Sequence, residues 1–235
     1  MLSLREFEST LRNQTSLNPA FWDGDRLRPE VREKLLAFAG AYARHVKLPP
    51  DAVQDVLLVG GNAGYNWTKY SDLDVHLLAN RASLGQDRTL VDDLLKAKKK
   101  LWSLTHDVTV KGHPLEGYVQ DPSEQSPAGQ GVYSIQTDEW KKRPERSDHS
   151  WTTDKAFTSK VENLQSMIDD LISSSGSITD FNALKHRIAD MRRAGLSRGG
   201  EYSTENGVFK ELRNTGYLKK MTDYVRNATD RGLSL

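Results

Sequence analysis

Strict alternation over Asp72-Leu73-Asp74-Val75-His76-Leu77 is the feature that most narrows what this chain can fold into. A strand puts every second side chain on one face, so Leu73, Val75 and Leu77 turn to a core while Asp72, Asp74 and His76 turn to a cleft. Upstream, Asp55-Val56-Leu57-Leu58-Val59 is a short apolar run closed by Gly60-Gly61, which reads as a buried strand entering a tight turn. A polar and aromatic loop from Asn62 to Ser71 joins the two. The chain is thereby committed to a sheet that carries paired carboxylates at one face, beside a glycine corner.

The flanking segments read as helices and further strands. Val31, Leu35, Phe38, Tyr42 and Val46 mark an amphipathic helix from Pro29 to Val46, with proline suited to its first turn. Between Asp87 and Thr105, the stripe Leu90, Leu94, Ala97, Leu101 and Leu104 marks a second helix, expected to pack that stripe on the core and to solvate the run Lys96 to Lys100. The segments from His106 to Val110 and from Leu115 to Gln120 read as a hairpin around Lys111 to Pro114, and a further strand is expected over Gly131 to Gln136. Residues 121–130 and 141–153 are loops by composition, the second suited to a linker. Beyond Thr153 the pattern is helical. Val161, Leu164, Ile168 and Leu171 form one stripe, and Phe181, Leu184, Ile188 and Met191 form another, opened by a capping box from Ser177 to Asp180. Gly195 to Glu201 reads as a glycine-rich break before a last helical region. The expected fold class is α+β (α/β): a small mixed β-sheet flanked by helices over residues 1–150, then an all-helical segment over 151–235.

Two carboxylates on one strand face, with Cα atoms about 6.6 Å apart, can share a pair of divalent cations of the kind that assists phosphoryl transfer. With no cysteine in the sequence, the ligands are oxygens or imidazoles, and hard oxygens suit Mg²⁺ or Mn²⁺. Gly60 and Gly61 can bring bare backbone N–H groups against a triphosphate. Lys69 offers a point charge beside them. A third carboxylate is expected from the hairpin, where parity admits both Asp107 and Glu116. His76 suits either a hydrogen-bonded partner on the site face or a contact to phosphate. Tyr65, Trp67 and Tyr70 suit either anchors that tie the loop to the core or a surface on which a base or sugar stacks. In the helical segment, Arg192, Arg193, Arg198, Lys210 and Arg213 flank the glycine-rich stretch as possible phosphate partners. Lys plus Arg total 33 against 32 Asp plus Glu, so no global field gathers nucleic acid or an anionic membrane, and any phosphate binding is local.

Val59-Gly60-Gly61, ten intervening residues, then Asp72-Leu73-Asp74-Val75 resembles the signature of the polymerase-β nucleotidyltransferase superfamily. Asn18 to Asp23, Tyr65 to Asp72, Gly131 to Ile135 and Gly199 to Asn206 look like the stand-alone nucleotidyltransferases of bacteriophage genomes. The resemblance implies a nucleotidyltransferase fold with Asp72, Asp74 and Glu116 as metal-binding catalytic residues, Glu116 preferred to Asp107 because the family's third carboxylate lies on a later strand. It implies a nucleoside triphosphate and two Mg²⁺ or Mn²⁺ ions, with Gly60, Gly61, Lys69 and Ser71 at the phosphates. The family's usual serine after the first glycine is Gly61 here, which removes one hydroxyl contact. The acceptor it implies is a hydroxyl of an RNA end, a small molecule or a protein. A nucleotide sensor without catalysis and an enzyme that attaches nucleotides to protein side chains are the alternatives. The opening MLSLREFESTLRNQ is charged, and no run approaches the roughly 20 apolar residues of a membrane span, so the expectation is a cytoplasmic protein, in the host if phage-encoded, with no membrane partner.

Overall fold

The computed structural model describes residues 8–234, and the first half of the charged opening segment lies outside them. They form two compact units, one of residues Gln14–Arg146 and one that combines residues 8–13 with 147–234. In the first unit a small hairpin, β1 (Trp22–Asp23) and β2 (Arg26–Leu27), precedes α1 (Pro29–Val46), β3 (Val53–Val59), β4 (Leu73–Ala79), α2 (Arg88–Thr105), β5 (Thr109–Val110), β6 (His113–Gln120), β7 (Val132–Ser134) and β8 (Glu139–Lys142). The six later strands make one mixed sheet in the order β5-β6-β4-β3-β7-β8. Within it β4 and β6 pair in parallel, and α2 supplies the crossover such a pair needs. The expected fold class, a small mixed sheet flanked by helices and followed by helices, is the one observed.

The alternation read from the sequence sets the core. Leu73, Val75 and Leu77 of β4 are at most 1% exposed and pack with Val31, Leu35, Phe38 and Tyr42 of α1. Central β3 buries Val56, Leu57, Leu58 and Val59 in succession, because both of its faces are covered. On the far face Leu57 and Val59 form a small cluster with Val132.

In this first unit three local expectations are corrected. The leucine stripe of α2 does not face the core. Leu90, Leu94, Leu101 and Leu104 are 67%, 51%, 52% and 74% exposed, and the buried side carries Val91 and Trp102, with Leu95 partly buried beside them. The helix carries two apolar faces, and periodicity cannot say which of them meets the fold. The hairpin turn is shorter than expected: Val110 pairs directly with His113, leaving Lys111 and Gly112 as a two-residue turn. Finally, Glu139–Lys142 pairs with β7 as an edge strand, where a loop was expected from Lys141 onward. Its polar sequence suits an edge, and Trp140 anchors it, stacking on Trp22 at 4.9 Å.

The second unit holds α3 (Lys155–Ser173), α4 (Ile178–Gly199), α5 (Thr204–Asn214) and α6 (Tyr217–Leu233). Both expected stripes are core, and the Ser177–Asp180 capping box opens α4. The glycine-rich stretch does not break α4 at Gly195. A Cβ there would stand 2.6 Å from Glu205 Cβ, so the glycine lets α5 approach closely. Residues 9 and 10 belong to this unit because fully buried Glu211 accepts hydrogen bonds from Ser9 Oγ (3.0 Å), Thr10 N (3.0 Å) and Thr10 Oγ1 (2.9 Å). No helix among the described residues is long and apolar enough to cross a membrane.

Candidate active site

β3 delivers the chain to Gly60, which turns with φ 78° and ψ −162°, a backbone state that L side chains rarely adopt. A Cβ built on Gly60 would lie 1.9 Å from Asp74 Oδ2. The glycine therefore provides both the corner and the space in which the Asp74 carboxylate rests against the main chain. In the sheet Asp74 stands opposite Val59 of β3 and opposite Glu116 of β6. Because β4 and β6 run parallel in this register, the two carboxylates project from neighbouring strands on one face. Asp72, immediately before β4, keeps the same parity. One carboxylate oxygen from each of Asp72, Asp74 and Glu116 falls within 4.8 Å of the others, the two aspartates half-buried and the Glu116 side chain 45% accessible.

The loop that presents Asp72 is held by a residue that sequence reasoning did not single out. Asn62, fully buried, donates from Nδ2 to the carbonyl oxygens of Ser71 (3.2 Å) and Asp72 (2.8 Å) and accepts from Asn18 Nδ2 (3.0 Å). Its own carbonyl accepts from Trp22 Nε1 at 2.8 Å. His113 Nδ1, 2.5 Å from the same Ser71 carbonyl, must carry a proton there, since that oxygen only accepts. The signal in the sequence was an asparagine directly after two glycines, a residue whose amide satisfies backbone groups in irregular turns. Two of the loop aromatics act as anchors: Trp67 Nε1 donates to Ser16 O at 2.9 Å, and Arg146 lies 4.6 Å over the Tyr65 ring, whereas Tyr70 is exposed and does not tie the loop to the core.

The other sequence candidates fall as follows. Gly61 begins a single helical turn over Gly61–Ala63 and faces Ser71 Oγ. Ser71 is buried, and its hydroxyl accepts from Thr68 N at 2.9 Å, so it shapes the turn. Lys69 is exposed, with its ammonium 5.0 Å over the Tyr70 ring. Asp107 is exposed just before β5 and is not a member of the carboxylate cluster. In the helical unit Lys210 pairs with Glu201 at 2.5 Å, Arg192 lies 4.1 Å over Phe209 and Arg193 pairs with Asp190 at 2.9 Å.

The lysine run of α2, expected on a solvated face, contributes one member to the site. Lys99 Nζ lies 3.1 Å from Glu116 Oε2 and 5.7 Å over the Tyr118 ring, and it is the cation that balances the third carboxylate. Beside it, Arg81 donates to Tyr118 Oη (2.7 Å) and pairs with Glu124 (2.9 Å) and Asp92 (3.1 Å), while Tyr118 Oη donates to Glu124 at 2.9 Å. Burial, and secondarily the charge on Glu116, pushes the Tyr42 hydroxyl up to about 12. His76 shares the Asp74 face, but its Nδ1 is 2.9 Å from Gln120 Oε1, and burial lowers its pKa below the ordinary histidine value. It is a neutral, hydrogen-bonded partner in the wall of the site. A cavity of about 760 Å³ between α1, the end of α2 and β5 is lined by Phe38, Trp102 and Leu115, whose register turns it away from Glu116; the three carboxylates do not line it.

No family model matches the chain, and no curated protein matches it. Among solved structures it is similar to a STING-associated CdnE c-di-GMP synthase from Capnocytophaga granulosa, at 12% identity over 88% of this chain and 84% of that one, with a TM-score of 0.22. Two backbones at that score share no close superposition, so the functional reading stands on the chain's own residues.

Proposed function

We propose that this protein is a metal-dependent nucleotidyltransferase that transfers a nucleoside monophosphate from a nucleoside triphosphate to a hydroxyl acceptor and releases pyrophosphate. The convergence of Asp72, Asp74 and Glu116 within 4.8 Å beneath the Gly60 corner carries the reading. A donor set made wholly of carboxylate oxygens, in a chain without cysteine, fits Mg²⁺ or Mn²⁺, and Asp72, Asp74 and Glu116 would hold two such ions. When bound, the cations supply neutralisation of phosphate charge and activation of the acceptor hydroxyl.

The chain's own residues do the rest. Gly60 and Gly61 leave the main chain bare at the corner, so that backbone N–H groups can lie against the phosphates. Exposed Lys69, two residues before Ser71 in the same loop, would supply a positive charge to them, and buried Ser71 and Asn62 hold the loop in shape. Glu116 stands at the open side of the cluster, where a carboxylate oxygen can accept the proton of the acceptor hydroxyl. The acceptor oxygen bonds to the α-phosphorus as the bond from that phosphorus to the bridging oxygen breaks, and the electron pair leaves with pyrophosphate. Placement and charge account for most of such catalysis. The acceptor is an RNA end, a small alcohol or a protein hydroxyl.

The test is pyrophosphate release with each of ATP, CTP, GTP and UTP, with Mg²⁺ or Mn²⁺ and with each class of acceptor. Turnover that falls by at least about 10³-fold in Asp72→Asn, Asp74→Asn and Glu116→Gln supports the assignment. Tight nucleotide binding with no turnover under any condition would replace it with the sensor reading.

A further inference from the structure

The inverted packing of α2 leaves a surface that the nucleotidyltransferase reading does not use. Among the described residues, Leu90, Leu94, Leu101 and Leu104 are half of the large hydrophobic side chains that remain exposed, and all four lie on one helix. Around exposed Ala97 their spacing is four, three, four and three, the a/d repeat of a coiled-coil seam. Together they form a stripe about 20 Å long and a few hundred Å² in area, the size at which an apolar patch marks an interaction site. The Val91, Leu95 and Trp102 side that meets the fold lies about a third of a turn away, so the seam is open to a second helix.

The flanking charges say what fits there. On the open side of the seam stand Asp93 and Lys100, both exposed, seven residues apart and opposite in sign. If a second α2 runs antiparallel, with Leu94 of one copy against Ala97 of the other, Asp93 falls opposite Lys100 of the second copy, and the symmetry makes the pair twice. A parallel pairing would instead need Lys98 for Asp93, but Lys98 Nζ donates to His45 O at 3.1 Å on the inner side. Asp93 has a competing contact with Lys96 at 3.2 Å, in which both side chains are mostly exposed, and such a surface pair is readily exchanged.

We propose that the outer face of α2 is a self-association surface on which two copies of this chain pair antiparallel through the leucine seam. A few hundred Å² from each copy is less than standard specific interfaces bury, so the dimer is a weak one, with a dissociation constant on the order of tens of micromolar.

Sedimentation velocity of the full chain from about 1 to 200 µM brackets that constant. A concentration-dependent shift from monomer to dimer is expected, weakened about 100-fold or more by Leu94→Glu or Leu101→Glu with the circular dichroism spectrum unchanged. Asp93→Lys alone and Lys100→Asp alone should each weaken association about tenfold, since each strikes two symmetric pairs, and the double reversal should restore it. A monomer at every concentration overturns the proposal, as does a dimer indifferent to Leu94→Glu. A monomer that instead sediments with anionic vesicles overturns it too, and assigns the seam to a lipid surface. A double reversal weaker than either single change refutes the antiparallel pairing.

Discussion

Replacing Gly60 by alanine separates a site built around this corner from one that merely contains it. The new methyl would sit 1.9 Å from Asp74 Oδ2, about 1.5 Å inside the 3.4 Å at which ordinary contact begins. Either the carboxylate moves or the corner does. A φ of 78° adds backbone strain of about 1–3 kcal/mol for a residue with a Cβ, and forcing the carboxylate aside brings the total to roughly 3 kcal/mol. For a unit of this size that is a fall in melting temperature of about 6–12 °C. A displacement of about 1 Å at a reacting group costs on the order of 10²-fold in rate, so turnover should fall at least that far. The informative comparison is with the double variant, Gly60→Ala with Asp74→Ala. With the carboxylate gone the clash disappears while the backbone strain stays, so the double variant should be more stable than the sum of the single effects by at least about 1 kcal/mol. Urea titrations of the four proteins, with pyrophosphate release for those that turn over, measure both quantities. Additive stability costs, or a Gly60→Ala protein with normal turnover, would refute the close packing of corner and carboxylate.

Other residues give independent outcomes. Asn62→Ala strips the donor from two carbonyls in a buried setting and should destabilise by about 2–3 kcal/mol by urea titration, while turnover falls because Asp72 is no longer held. Lys99→Met removes the cation beside Glu116, so Mn²⁺ binding in the absence of nucleotide should tighten by up to about fivefold in calorimetric titration, the scale of a half-exposed ion pair; unchanged or weaker affinity contradicts that competition. Hydrogen bonds from Ser123 Oγ, Ser123 N and Arg81 N hold the Asp121 carboxyl at about 2, below its ordinary 3.8. Its stabilising effect is therefore complete above the ordinary value and lost as pH falls through 4 towards 2, so Asp121→Asn should be less stable than wild type at pH 7 with a gap that narrows across that window in urea titrations.

The residues that carried the sheet and the site were legible because one physical rule governed each. Leu73, Val75 and Leu77 alternate with Asp72, Asp74 and His76, and a strand of period two has one way to sort them. Glu116 was separable from Asp107 only through the family resemblance; in the structure the parallel register of β4 and β6 brings Glu116 alongside Asp74. That register is a long-range property that no local pattern encodes. The same limit explains α2. Leu90, Leu94, Leu101 and Leu104 announce a helix correctly, but Val91, Leu95 and Trp102 offer a second face, and the choice between them is made by β6 and α1. Lys99 was invisible for a related reason, since its role depends on a side chain reaching across to another element. Strand β8 and the hairpin of β1 and β2 have two to four residues each, too few for a hydrophobic period to mark them even though Trp22 and Leu27 are core.

The central claim is that Asp72, Asp74 and Glu116 hold divalent cations together with a nucleoside triphosphate. Its most direct test is an anomalous difference map from crystals grown with Mn²⁺ and a non-hydrolysable triphosphate analogue. The account predicts manganese peaks at about 2.0–2.3 Å from the oxygens of Asp72 and Asp74, one of them shared with Glu116, with the triphosphate against Gly60 and Gly61. Manganese bound elsewhere, with those three carboxylates turned to protein partners alone, would contradict it.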